Sequence, residues 1–142
     1  MTRGFHVAEQ IDARPEEVWS ALTDFTNARR WMNGVEEMVQ ETSGALGLGT
    51  RFRFRSRGHV HHTVVTDFVP GQKIALTSSQ GGITATYVYC VLPSGRGATI
   101  TLDATCTAQG YWKLVHPLIA YAMKKADSSQ LANLAAVIQQ KA

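Results

Sequence analysis

IDARPEEVWSALTDFTNARRW, Ile11 to Trp31, closes an alternating segment and turns helical at a proline. Just upstream, Phe5, Val7 and Ile11 share one face of an extended chain, which predicts a strand over Phe5–Ile11, with Glu9 interrupting the apolar row. Pro15 suits the first helical position, where its missing N–H would be unpaired anyway. Glu16 and Glu17 occupy the first turn, where the helix dipole favours negative charge. Val18, Leu22 and Phe25 recur at helical spacing, whereas Thr23, Asp24 and Thr26 predict a break and a second short helix ending near Trp31. Neither helix is long enough to persist alone in water. Both must pack on something, and Trp19, Phe25 and Trp31 supply the bulk for it.

Beyond Trp31 the pattern becomes all strand. Strands are predicted over Val35–Glu41, Thr50–Arg57, His59–Val69, Lys73–Ser79, Ile83–Leu92 and Ala98–Thr107, separated by SGALGLG, Gly58, PG, QGG and PSGRG. With the first, that makes seven strands joined by short turns, hence mostly antiparallel. From Tyr111 to Lys141 there is no glycine, and Leu131, Leu134 and Ile138 keep helical spacing, which predicts one long C-terminal helix. Its first half, YWKLVHPLIAYAM, is apolar nearly all round and is expected to be enclosed by the sheet. Pro117 either kinks this helix or marks its true start. Strand, two short helices, six strands and a long helix make an α+β chain: a curved antiparallel sheet with the long helix on its concave side.

Composition narrows the function classes. The 142 residues fit one domain, 1–142, which at this size buries roughly 70% of the surface its unfolded chain exposes. No run of about 18 apolar residues exists, so no integral membrane segment is expected. MTRGFHVAEQ has no apolar stretch that could serve as a signal peptide, so the expected compartment is cytoplasmic. A net charge of +3 falls short of a nucleic-acid-binding signature. Cys90 and Cys106 have no metal-finger or CxxC spacing and read as reduced thiols.

The order of elements and several short pieces resemble the START-like (SRPBCC) superfamily of polyketide cyclases, lipid-transfer domains and plant pathogenesis-related proteins. The pieces are the strand ending in IDA, PEEVW opening the first helix, LTDF with Trp31 at the second, GLGTRF, VVTDFVPGQKIAL, and Gly110 before the long helix. The resemblance spans nearly the whole chain. It implies a helix-grip fold, a seven-stranded sheet curved around the long helix with an apolar cavity between them. Relatives use that cavity for lipids, polyketides, hormones and other hydrophobic molecules, and some catalyse cyclisation or dehydration in it.

Register then nominates the lining. If Arg57 and Gly58 form a two-residue turn, Ser56 opposes His59, Phe54 opposes His61, Phe52 opposes Thr63 and Thr50 opposes Val65. Phe52, Phe54, His61, Thr63 and Val65 then lie inside and Arg51, Arg53 and Arg55 outside. Ile83, Ala85, Tyr87, Tyr89 and Val91 form the more apolar row of the next-to-last strand, and Ile100, Leu102, Ala104 and Cys106 face away from a threonine row. The expected cavity lining is Phe52, Phe54, His61, Val65, Tyr87, Tyr89, Ile100 and Leu102 from the sheet, and Trp112, His116, Ile119, Ala120 and Met123 from the helix. Its polar groups would be His61, His116, the tyrosine hydroxyls and Glu9.

Chemistry is less determined. Only His59 and His61 of the three clustered histidines share a strand face, and zinc needs three or four convergent ligands, so neither a metal nor another cofactor is expected. No GxSxG motif or phosphate loop is present. The leading expectation is binding, with transport as an extension, of a small hydrophobic ligand such as a lipid or polyketide. The alternatives are a cyclase/dehydrase-type enzyme using cavity His and Tyr side chains as acid and base, and a protein-interaction module built on the arginine row. The sequence leaves the oligomeric state and catalytic residues open.

Overall fold

The computed structural model describes residues 2–32, 34–56, 58–110 and 116–140. Strand β1 (Thr2–Ile11) leads into helix α1 (Pro15–Thr23) and a 3₁₀ helix (Phe25–Arg30). Six strands follow: β2 (Val35–Gln40), β3 (Arg51–Ser56), β4 (His59–Val69), β5 (Lys73–Gln80), β6 (Ile83–Ser94) and β7 (Gly97–Ala108). Helices α2 (His116–Asp127) and α3 (Gln130–Gln140) end the chain. The strands form one antiparallel sheet in the order β1-β7-β6-β5-β4-β3-β2. The fold class is α+β, a helix-grip, as the sequence predicts.

Local chemistry explains the opening stretch. Arg14 is extended and its Nε donates to Glu17 Oε1 at 2.8 Å across the first turn of α1. Thr23 Oγ1 donates back to the Trp19 carbonyl at 2.8 Å, which competes with the helical pattern near its end. Asp24 then leaves helical geometry, and its carboxylate accepts from Thr26 Oγ1 at 3.0 Å and Asn27 Nδ2 at 2.7 Å, organising the 3₁₀ turn that follows.

Each of the three aromatics of that stretch is keyed to an aromatic ring on a strand. Trp19 meets Phe68 of β4 with centroids 5.9 Å apart, Phe25 meets Phe52 of β3 edge-on at 5.0 Å, and Trp31 meets Tyr89 of β6 edge-on at 6.0 Å. Such pairs contribute about 0.5–1.5 kcal/mol each beyond their buried area. The aromatic bulk therefore fixes two helices, neither stable alone, across three strands of the sheet.

The β3–β4 register is the one expected: Ser56 opposes His59, Phe54 opposes His61 and Phe52 opposes Thr63. Thr50 lies beyond the paired residues, with its carbonyl accepting from the Val65 amide at 2.9 Å. Gly58 takes a positive φ of 79° at the turn, a conformation that costs glycine nothing. Register shifts at Glu36 and Thr66 place one extra residue in β2 and in β4, which bends those strands and increases local twist. Gly97 serves close approach: a Cβ there would lie 2.2 Å from the Ile11 carbonyl oxygen.

The C-terminal helix departs from expectation in two ways. It is interrupted by a turn at Ser128–Ser129, although helical bonds flank the break, from the Ser128 amide to the Lys124 carbonyl and from the Asn133 amide to the Ser129 carbonyl, both 3.0 Å. Among the described residues of the half expected to be enclosed, His116 is buried and Met123 half-buried, but Pro117, Leu118, Tyr121 and Ala122 face solvent, whereas α3 buries Leu131, Leu134, Ala135 and Ile138. The physical reason is placement. α2 packs beside β1 and β7 at the flank of the sheet, while α3 packs against α1, β1 and β7.

Candidate functional site at the open end of the sheet

The inner face of the sheet is divided into two halves by what covers it. At the end where β1 runs into α1, the inner residues Phe52, Val65, Ile74, Leu76, Tyr89, Val91, Ile100 and Leu102 are buried in one core with Val18, Leu22, Phe25, Trp31, Leu131 and Leu134. At the opposite end the same inner rows continue through Phe54 of β3, His61 of β4, Ser78 and Gln80 of β5, and Ile83, Ala85 and Tyr87 of β6. There all are half-buried except Gln80, which is exposed.

Of the sequence-nominated lining, Phe52, Val65, Tyr89, Ile100 and Leu102 lie in the closed half, at most 2% exposed. They are walls of the core, because α1, the 3₁₀ helix and α3 supply side chains that fill the space above them. Phe54, His61 and Tyr87 lie in the open half. Met123 of α2 is half-buried, and Glu9 is half-buried on β1 opposite Ile100. Trp112 and the side chains of Ile119 and Ala120 fall outside the described residues. Ser78 and Gln80, not singled out from the sequence, join the open half because they share parity with Ile74 and Leu76 on β5. That parity was the available signal.

At this end lies a solvent-open cavity of about 240 Å³, lined by Phe54, His61, Ser78, Gln80 and Ile83 of the inner rows and by Val60, His62 and Ser79 of the opposite parity. The His61 ring stacks on Phe54 with centroids 5.2 Å apart and planes 26° from parallel. Among the described residues, no hydrogen bond or ion pair orients His61. The site thus sets one aromatic and two aliphatic side chains beside two imidazoles, two hydroxyls and an amide.

The other nominated polar groups are engaged in structure. Tyr89 OH donates to Gln130 Oε1 at 2.6 Å, a buried bond that ties the start of α3 to β6. His116, fully buried, bonds through Nε2 to the Cys106 carbonyl at 2.7 Å, tying the start of α2 to β7. A carbonyl can only accept, so Nε2 carries the proton, and Nδ1 is buried without a partner among the described residues. Burial also raises the Cys106 thiol above its ordinary pKa. Among the described residues no three His, Cys, Asp or Glu side chains converge as metal ligands. His62 instead lies 3.7 Å from Glu41 on the outer face, where Arg51, Arg53 and Arg55 are exposed.

A seven-stranded antiparallel sheet gripping C-terminal helices, with one end plugged and the other open, defines a START-like protein. The chain belongs to the family described as polyketide cyclase / dehydrase and lipid transport, whose pattern matches residues 3–139. Among solved structures, a START superfamily protein from Mycobacterium smegmatis superposes with a TM-score of 0.80 at 14% identity, covering 98% of this chain and 99% of that one. The Zhui aromatase/cyclase from a Streptomyces species gives 0.80 at 10% identity, covering 99% and 96%. A norcoclaurine synthase from Thalictrum flavum gives 0.73 at 14% identity, also covering 99% and 96%. No curated protein sequence matches this one. At these identities the structural likeness establishes the fold.

Proposed function

We propose that this protein binds a small hydrophobic molecule, of the lipid or aromatic polyketide kind, on the open half of its concave sheet face. The observation that carries the reading is the stacked Phe54–His61 pair beside half-buried Ile83 in a concave, solvent-open cavity. Phe54, Val60 and Ile83 gain by contact with an apolar guest, and the five polar side chains around them supply the groups that orient it. The cavity volume of about 240 Å³ exceeds the roughly 150 Å³ that suffices to hold benzene in an engineered protein cavity. A ligand of one or two rings, or one end of a longer molecule, matches that size. Family membership supports the same substrate class.

The acid–base reading has less support. A catalytic imidazole needs a group that fixes its tautomer and orientation, and His61 has an aromatic ring beside it instead. His116 is committed to a backbone carbonyl away from the cavity lining. The test is a thermal-shift screen with fatty acids, sterols, quinones and aromatic polyketides, since a ligand of the native state alone raises Tm. A concentration-dependent rise that is lost in Phe54→Ala and His61→Ala is expected. No rise with any of these classes, or a rise indifferent to both substitutions, would overturn the assignment.

A further inference from the structure

Six large apolar side chains are exposed on the described surface, and four of them, Leu48, Val60, Val69 and Leu92, are scattered singly over a loop and two strands. Single exposures of that kind are ordinary. The other two, Leu118 and Tyr121, are 69% and 64% exposed and sit three residues apart on α2. With Ala122 and Lys125 they make an i, i+3, i+4, i+7 stripe, so all four project from one side of the helix. Lys124 and Pro117 flank the stripe, all six residues are exposed, and none is acidic. His116 on the Cys106 carbonyl ties the start of α2 to the sheet, and Gln130, just past the turn that follows α2, is tied to Tyr89.

We propose that this outward face of α2 docks on an anionic phospholipid bilayer. A surface helix with large apolar side chains and lysines on the same side matches the interface between acyl chains and negative headgroups. Leu118 and the Tyr121 ring enter the boundary layer, the tyrosine hydroxyl stays among the headgroups, and Lys124 and Lys125 reach anionic phosphates along their flexible stems. Charge separates this occupant from the others. A two-fold pairing of two copies would set this lysine-bearing face against itself, with no carboxylate among its six described residues to compensate. The core of a protein interface is depleted in lysine, whereas an anionic membrane attracts it. The inference is independent of the ligand site, which uses none of these six residues.

The experiment is co-sedimentation of the full chain with phosphatidylcholine vesicles and with vesicles containing phosphatidylserine, at low and high salt. Binding to the anionic vesicles and weakening by salt are expected. Lys124→Gln/Lys125→Gln should weaken that binding about 25-fold, from the usual attraction of two basic residues near an anionic surface. Leu118→Ser/Tyr121→Ser should abolish it, and because all four side chains are exposed, both variants should melt as the wild type does. Failure to sediment with anionic vesicles, equal binding to neutral ones, or binding undiminished in both variants would overturn the proposal. So would a dimer on size exclusion that Leu118→Ser/Tyr121→Ser converts to monomer, which would assign the face to a second copy.

Discussion

Phe52 and Phe54 offer a direct test of the division between a closed and an open half. They are two residues apart on β3, point to the same inner face, and oppose Thr63 and His61 on the neighbouring strand. Phe52 is 2% exposed and its ring meets Phe25 edge-on at 5.0 Å, so it locks the 3₁₀ helix to the sheet. Truncating a buried phenylalanine to alanine costs about 3–5 kcal/mol, the lost transfer energy plus the cavity left behind. With an unfolding entropy of about 2.1 cal/mol/K per residue, 142 residues give about 300 cal/mol/K. Phe52→Ala should then lower Tm by about 10–17 °C. Phe54 is half-buried at the cavity wall, where truncation leaves space that solvent already reaches. Phe54→Ala should cost about 1 kcal/mol, roughly 3 °C. Calorimetry or urea melts give both numbers, and the ligand-induced rise in Tm should survive in Phe52→Ala and vanish in Phe54→Ala. Equal destabilisation by the two substitutions, or loss of ligand response only in Phe52→Ala, would refute the two-half description.

Three other expectations follow from single contacts. Tyr89→Phe removes the hydroxyl that donates to Gln130 Oε1 at 2.6 Å and should cost about 0.5–1.5 kcal/mol, the usual net worth of such a bond; Tyr89→Phe with Gln130→Leu should cost less than the two singles summed, as a double-mutant cycle in urea would show. Gly97→Ala puts a methyl 2.2 Å from the backbone oxygen of Ile11, so β1 and β7 must separate and stability should fall by about 1–3 kcal/mol, read from the urea midpoint. The raised Cys106 pKa contributes stability that is fully present below the unfolded thiol's value of about 8.5 and is lost as pH rises through the folded value. Tm measured from pH 7 to 11 should therefore fall less steeply on the alkaline side in Cys106→Ala than in the wild type.

How much of this was legible beforehand depends on how local the determining physics is. Pro15, Glu16 and Glu17 mark a helix start wherever they occur, and the turn at Gly58 fixes the β3–β4 register because a one-residue slip would turn Phe52 and Phe54 to solvent. The open half of the sheet was partly legible, since Phe54, His61 and Tyr87 share parity with core neighbours. Which inner residues are core and which line the cavity was not, because Phe25, Trp31 and Leu134 reach the sheet from elements far away in sequence. The expected enclosure of YWKLVHPLIAYAM holds at His116 and fails at Pro117, Leu118, Tyr121 and Ala122 for a related reason. A segment apolar nearly all round does not say which side is covered, and α2 leaves Leu118 and Tyr121 outside. Tyr89 reads as a cavity hydroxyl until Gln130 is seen beneath it.

These placements bear on how one scaffold serves both binding and chemistry. The fold persists at 10–14% identity, so patterns rather than particular side chains must specify it. In this chain those patterns are the apolar inner rows, the bulges at Glu36 and Thr66, and the three ring pairs that seat the short helices. All three ring pairs join the short helices to the sheet, and the Phe25–Phe52 and Trp31–Tyr89 pairs lie in the closed core, while the cavity is lined by residues that contribute little to closing that core. On the proposed binding reading, substitutions at Phe54, His61, Ser78, Gln80 and Ile83 would change what is bound at small cost in stability. On the proposed reading, acid–base chemistry at this site would need one added group that orients an imidazole. His61 lies at the cavity among neighbours on β3, β5 and β6, so a carboxylate introduced at Ser78 or Gln80 is the shortest route to that chemistry.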